Sequence, residues 1–139
     1  MSLSPAARER GSAVGFQAVV LATLIVLIAP SFAQAETRDA GERAFQKCYS
    51  CHSVDPTETN LSGPNLAGVI GRRAAARAGF EYSPAMKKAG ALGLVWTEAA
   101  LDRYLADPLE SIPGTTMSFP GLRSADERRA VIDYLQRFR

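Results

Sequence analysis

Hydrophobic positions divide the chain into two unlike parts. Phe16 to Ala29 is apolar at every position except Gln17 and Thr23. It follows a polar stretch holding Arg8, Glu9 and Arg10, ends at Pro30, and is followed by Ser31-Phe32-Ala33-Gln34-Ala35. A basic leader, an apolar run and an Ala33-x-Ala35 cleavage signal, in that order, predict a secretory signal peptide over 1–35. The run is shorter than the ~20 apolar residues that a membrane span needs. No stable membrane insertion is therefore expected once the leader has been removed.

From residue 36 onward the apolar positions recur at helical spacing. A first helix is expected from about Asp39 to Ser50, with Ala40, Ala44, Phe45 and Cys48 on one stripe and Thr37 as its cap. Residues 53 to 81 carry Pro56, Gly63, Pro64, Gly68, Gly71 and Gly79 and read as loop. Ser83-Pro84 starts a short helix, with proline at its first position. Another helix opens at Thr97 and stops before Pro108, with Leu101, Tyr104 and Leu105 apolar. The last opens with Ser124 and Glu127, a capping box. Its stripe of Val131, Ile132, Leu135 and Phe138 needs a partner, and the first helix is the natural one. No strand alternation of useful length and no repeat interrupts this pattern. The expectation is one all-α domain over 36–139.

Length and charge narrow the picture a little. Removing the 35-residue leader from 139 residues leaves 104, a domain with little interior, so that something extra is needed to fill its core. Without Arg8, Arg10 and Glu9 the basic and acidic residues number fourteen and thirteen, a net charge of +1. Clusters of Lys and Arg never exceed two residues, and nucleic acid is not expected as a partner.

The cysteines are the sharpest chemical clue. There are two, Cys48 and Cys51, with His52 directly after them. Cys-x-x-Cys-His is the pattern of c-type haem attachment. Two thiols add across the two vinyl groups on one edge of the haem, and one helical turn presents both sulfurs to that edge. The adjacent histidine then lies under the iron as proximal ligand. A disulfide across two intervening residues would cross-link almost nothing. A thioredoxin-like pair would follow a strand and open a helix, and a structural zinc site wants four ligands where the chain offers three. Export agrees with haem attachment, which bacteria carry out beyond the cytoplasm.

His52 is the only histidine, so a second histidine ligand is excluded. With Met1 removed, the sixth position is left to Met86, Met117, a lysine or no protein group. Met117 follows Ile112-Pro113-Gly114-Thr115-Thr116, a turn-rich loop able to fold over a haem face. Met86 sits in a short helical pattern, where methionine commonly fills core.

Across residues 39–139 the chain resembles class I cytochrome c, the soluble mitochondrial and bacterial type. GERAFQKCYSCH, GPNLAGVIGR, FEYSPAMKKAG, a tryptophan, LDRYLADP, IPGTTMSFPG and VIDYLQRF occur in the family's order. The resemblance implies a small fold of three to five helices wrapped around one haem c, joined through Cys48 and Cys51. It implies His52 and Met117 as the two iron ligands, with the Pro64 carbonyl accepting the second ring N–H of His52. Arg72, Tyr82 and Trp96 then surround the haem propionates, Tyr104 and Thr115 lie on the methionine side, and Phe119 lies near the exposed haem edge. Arg72, the Tyr82 hydroxyl and the Trp96 N–H are also chemically apt, because buried propionates need donors.

Lys47 and Arg123 match basic residues flanking that edge. The Asp107–Ser111 segment is acidic where mitochondrial members carry lysines, which weakens any inference of shared docking partners. The function implied is that of a monomeric periplasmic electron carrier and not of an enzyme. Redox proteins, some of them membrane complexes, would be its donor and acceptor. Two other readings are a relay subunit of a larger oxidoreductase and a haem sensor or enzyme with an open sixth site.

Overall fold

The computed structural model describes residues 40–139. The expected signal peptide, the Thr37 cap and the helix start at Asp39 lie outside the described residues. Five helices follow in order: α1 over 40–45, α2 Pro84–Ala91, α3 Glu98–Ala106, α4 Pro108–Ser111 and α5 Ala125–Leu135. Among the described residues the only β pairing is a single bridge between Arg73 and Val95. None of these helices is long and apolar enough to cross a membrane.

Capping explains most of the boundaries. Side-chain oxygens of Ser83, Thr97, Asp107 and Ser124 accept N–H groups of Met86, Ala100, Glu110 and Glu127 at the starts of α2 to α5. Each satisfies a donor that has no partner within its own helix. Three details depart from expectation. Helix α1 ends at residue 45, and residues 46–51 are wound as turns. The Cys51 and His52 N–H groups share the Cys48 carbonyl, at 3.1 and 2.9 Å, while the Cys51 carbonyl accepts the Gly63 N–H at 2.8 Å. A carbonyl claimed by a distant loop is a demand that local periodicity does not register. Helix α4 was not foreseen, since four residues are too few to show a period, although Asp-Pro is a sound helix start. In α5 the capping box is half formed: Ser124 caps, but the Glu127 carboxylate pairs with Lys47.

α1 and α5 cross closely, as their apolar stripes suggest. A Cβ on Gly41 would stand 2.8 Å from the Ala130 carbonyl oxygen and 2.9 Å from the Tyr134 Cβ, so the approach requires glycine. Phe45 stacks on Tyr134 at 5.0 Å between centroids, and the Tyr49 and Tyr134 hydroxyls bond at 2.7 Å. α3 packs on α5, where Arg128 Nε reaches Asp102 at 2.7 Å. Phe45, Val131, Ile132 and Leu135 are buried. These walls enclose a cavity on the side where the loop over 53–83 returns.

Candidate cofactor site

The cavity has a volume of about 380 Å³. All ten residues expected at the site line it: Cys48, Cys51, His52, Pro64, Arg72, Tyr82, Trp96, Tyr104, Thr115 and Met117. Phe119 and Met86 line it as well, and Phe45, Leu101, Leu105, Val131 and Leu135 supply apolar wall.

The turn after α1 sets the two thiols and the imidazole on one flank. Cys48 is half-buried, and burial, with the neighbouring Cys51 thiol, pushes its free thiol up to about 11. Cys51 is exposed, and hydrogen bonds from Ser62 and Ser50 hold its thiol below the ordinary value. His52 Nδ1 lies 2.8 Å from the Pro64 carbonyl oxygen. A carbonyl can only accept, so Nδ1 carries the proton and Nε2 holds the free lone pair. Burial lowers the His52 pKa, the Pro64 bond opposing it, which favours the neutral ring a metal requires.

Elsewhere along the cavity a hydroxyl chain orders the methionine loop. The Tyr104 hydroxyl and Thr115 Oγ1 are 2.9 Å apart, and the Met117 N–H donates to Thr115 Oγ1 at 3.4 Å. Met117 is half-buried in this loop, whereas Met86 is buried on α2 within the packed core.

The third region is polar. Arg72 donates to the Ala67 and Asn65 carbonyls at 3.0 and 3.1 Å, which leaves part of its five-donor fork for the cavity. Burial lowers its pKa, but an arginine stays charged. Among the described residues neither the Tyr82 hydroxyl nor the Trp96 indole N–H is paired with a protein group, and no fully buried side-chain polar atom is left without a partner. Both residues line the cavity.

Haem c fits this donor set. Two free thiols separated by two residues line the cavity, a neutral imidazole with a free Nε2 is beside them, and a thioether lines the same apolar space. Cationic and neutral donors wait at one side for carboxylates. No three His, Cys, Asp or Glu side chains gather to hold a bare metal ion among the described residues.

Comparison with known proteins settles the family. The model of the family described as Cytochrome c matches residues 39–138. The chain belongs to the cytochrome c family. Cytochrome c2 of Rhodoblastus acidophilus is 42% identical over 101 residues, covering 73% of this chain and 92% of that one. Cytochrome c 2.1 of Caenorhabditis elegans is 46% identical over 99 residues, covering 70% and 86%. The solved structure of cytochrome c2 from Rhodospirillum centenum superposes with a TM-score of 0.66 at 38% identity, covering 73% and 97%. This chain is thus a class I cytochrome c with the all-α fold of that class, and its cofactor is one covalent haem c.

Two members of the site escaped the motif reading. A Cβ on Gly63 would stand 2.4 Å from His52 Cε1 and 2.7 Å from Nδ1, so only glycine lets the imidazole lie where Pro64 can hold it. Asn65, buried, binds the Glu58 carbonyl at 3.1 Å and the Ala67 N–H at 2.9 Å, pinning the loop from which Pro64 reaches His52. Both sit in GPNL, where the Gly-Pro step was legible as a turn but the ring packed against it was not. Gly63→Ala is expected to displace the ring, lengthen the Pro64 bond and cost ~1–3 kcal/mol, as overpacking does. Urea unfolding of the haem-loaded protein, with its midpoint potential, measures this. An unchanged denaturation midpoint would mean that the ring moves freely.

Proposed function

We propose that this family member is a monomeric periplasmic carrier of single electrons, with His52 and Met117 as the axial ligands of its haem and redox proteins as donor and acceptor. The observation that carries the reading is one cavity lined both by an imidazole, its Nδ1 tied to Pro64, and by a loop-borne thioether. Bound there, haem would supply the one-electron chemistry. The chain does the rest. His52 offers Nε2 because Pro64 holds the other ring proton, which fixes the ring's orientation and raises its basicity. Tyr104 and Thr115 order the Met117 loop, so that His52 and Met117 would both hold the iron and leave it no position for a substrate. The apolar wall keeps water from rearranging as charge changes. The Phe16–Ala29 run and the Ala33-Gln34-Ala35 signal support export to the periplasm.

Intact mass and a reduced-minus-oxidised spectrum of the native protein test both halves. The mature chain is expected to begin at Glu36 and to carry one haem, with a six-coordinate resting spectrum and a reversible one-electron titration. A mass retaining residues 1–35 would make it an anchored cytochrome. A five-coordinate resting spectrum would favour a sensor or enzyme.

A further inference from the structure

The segment that carries Met117 is tethered at its two ends and not between them. Among the described residues, 116–120 hydrogen-bond to Thr115 and to one another and to no other part of the protein. The Tyr104–Thr115 hydroxyl pair holds the entry on α3. At the exit the Leu122 N–H donates to the Leu105 carbonyl at 2.7 Å, one of the acceptors that α3 leaves open at its C-terminus. Gly121, at φ +90°, lies so close to that helix end that a Cβ there would stand 2.1 Å from the Ala106 carbonyl oxygen. Arg128 of α5 then closes the exit. Its Nη1 donates to the Leu122 and Arg123 carbonyls at 2.8 and 3.1 Å, and its Nε donates to Asp102 of α3 at 2.7 Å. One guanidinium, 14% exposed, thus ties the loop exit to both α3 and α5.

Resting on the reading of Met117 as an axial ligand, we propose that Arg128 is a positioning residue for that ligand. It fixes the loop exit through the two carbonyls, and Asp102 fixes the direction of its guanidinium. The fork is planar and rigid, so once Nε is held by a carboxylate the other donors have a set aim. Hydrogen bonds from a cation to a carbonyl are roughly twice as strong as neutral ones. No bond outside the loop lies between Thr115 and the exit, so a shift at Leu122 passes along the span to the thioether. The consequence is a loop held shut. An outside ligand reaches that axial position only when the loop opens, so its apparent affinity is its intrinsic affinity scaled by the open fraction. Because the open loop is a minor state, loosening its anchor raises that affinity well before the methionine is displaced in the ligand-free protein.

Imidazole is the probe, titrated into the ferric haem-loaded protein while the methionine–iron charge-transfer band is followed. Urea unfolding of the same samples measures global stability. Arg128→Met keeps the length and loses the donors, and it is expected to keep the band but bind imidazole ~tenfold more tightly. Asp102→Ala should tighten imidazole ~threefold, whereas Asp102→Asn, which retains an acceptor for Nε–H, should stay within ~twofold of the unaltered protein. Gly41→Ala is the control: it crowds the α1–α5 crossing, away from the loop, and should lower the urea midpoint with imidazole affinity unchanged. Unchanged imidazole affinity in Arg128→Met, beside a lowered urea midpoint, would make Arg128 a structural residue only and overturn the proposal. So would Gly41→Ala tightening imidazole as much as Arg128→Met at an equal loss of urea midpoint. Should Arg128→Met fail to fold, the Asp102 variants decide, and unchanged affinity in Asp102→Ala would overturn the alignment and the proposal with it. Absence of the charge-transfer band from the unaltered protein would instead remove Met117 as ligand, the reading beneath this one.

Discussion

Replacing Cys48 and Cys51 together by Ala is expected to leave a chain that does not fold. The cavity of about 380 Å³ is walled by Phe45, Leu101, Leu105, Val131 and Leu135, which a bound haem would cover. At ~24 cal/mol per Å³ of residual cavity, an empty space of that size costs on the order of 9 kcal/mol. A domain this small has ~5–15 kcal/mol in all. The haem is thus a structural element of the core, and losing its covalent attachment removes the element as well as the chemistry. The unaltered protein is expected to keep its haem through acid-acetone extraction and denaturing electrophoresis, while the double variant shows neither haem stain nor native helical circular dichroism. Release of haem from the unaltered protein on denaturation would refute thioether attachment. A double variant of native helicity would refute the dependence of the fold on it.

Met117→Ala is expected to open an axial position and lower the midpoint potential. A thioether favours ferrous iron, and water or an added ligand in its place does not. The ferric methionine–iron charge-transfer band should disappear, and imidazole or cyanide should bind readily. Met86 is the control, since it lines the same cavity and also offers a thioether. Its setting differs: Met86 is fixed on α2 at 7% exposure inside the apolar cluster, whereas Met117 rides a loop held by the Tyr104–Thr115 hydroxyl pair. Met86→Leu conserves volume and apolarity, so it should cost less than ~1.5 kcal/mol and leave the band intact. Loss of the band in Met86→Leu, together with its survival in Met117→Ala, would exchange the two assignments.

Much of the architecture was readable along the chain, for local reasons. Ser83-Pro84, Thr97 and Ser124 each marked a helix start because a hydroxyl near its own backbone satisfies free N–H groups whatever lies farther away. Phe45, Val131, Ile132 and Leu135 were identifiable as core because helical spacing gathers them on one face. CYSCH was decisive for the cofactor, since the spacing of its three reactive groups is itself the chemistry. What went unread depended on contacts far apart in sequence. Helix α1 stops at residue 45, where the Cys48 N–H turns onto the Phe45 carbonyl at 2.7 Å, and the Gly63 N–H from the distant loop takes the Cys51 carbonyl. Glu127 leaves its capping box for Lys47, a residue 80 positions away.

The sequence by itself determined the starts and caps of α2, α3 and α5, the thiols and imidazole of the haem site, and the family, because each is written in residues adjacent or one turn apart. Only the tertiary structure decided how these groups face one another. It required a bare Cα at Gly63 beside the His52 ring and matched Lys47 with Glu127. Hydrogen bonds and ion pairs act over a few ångströms, and chain distance does not report which groups folding brings that close.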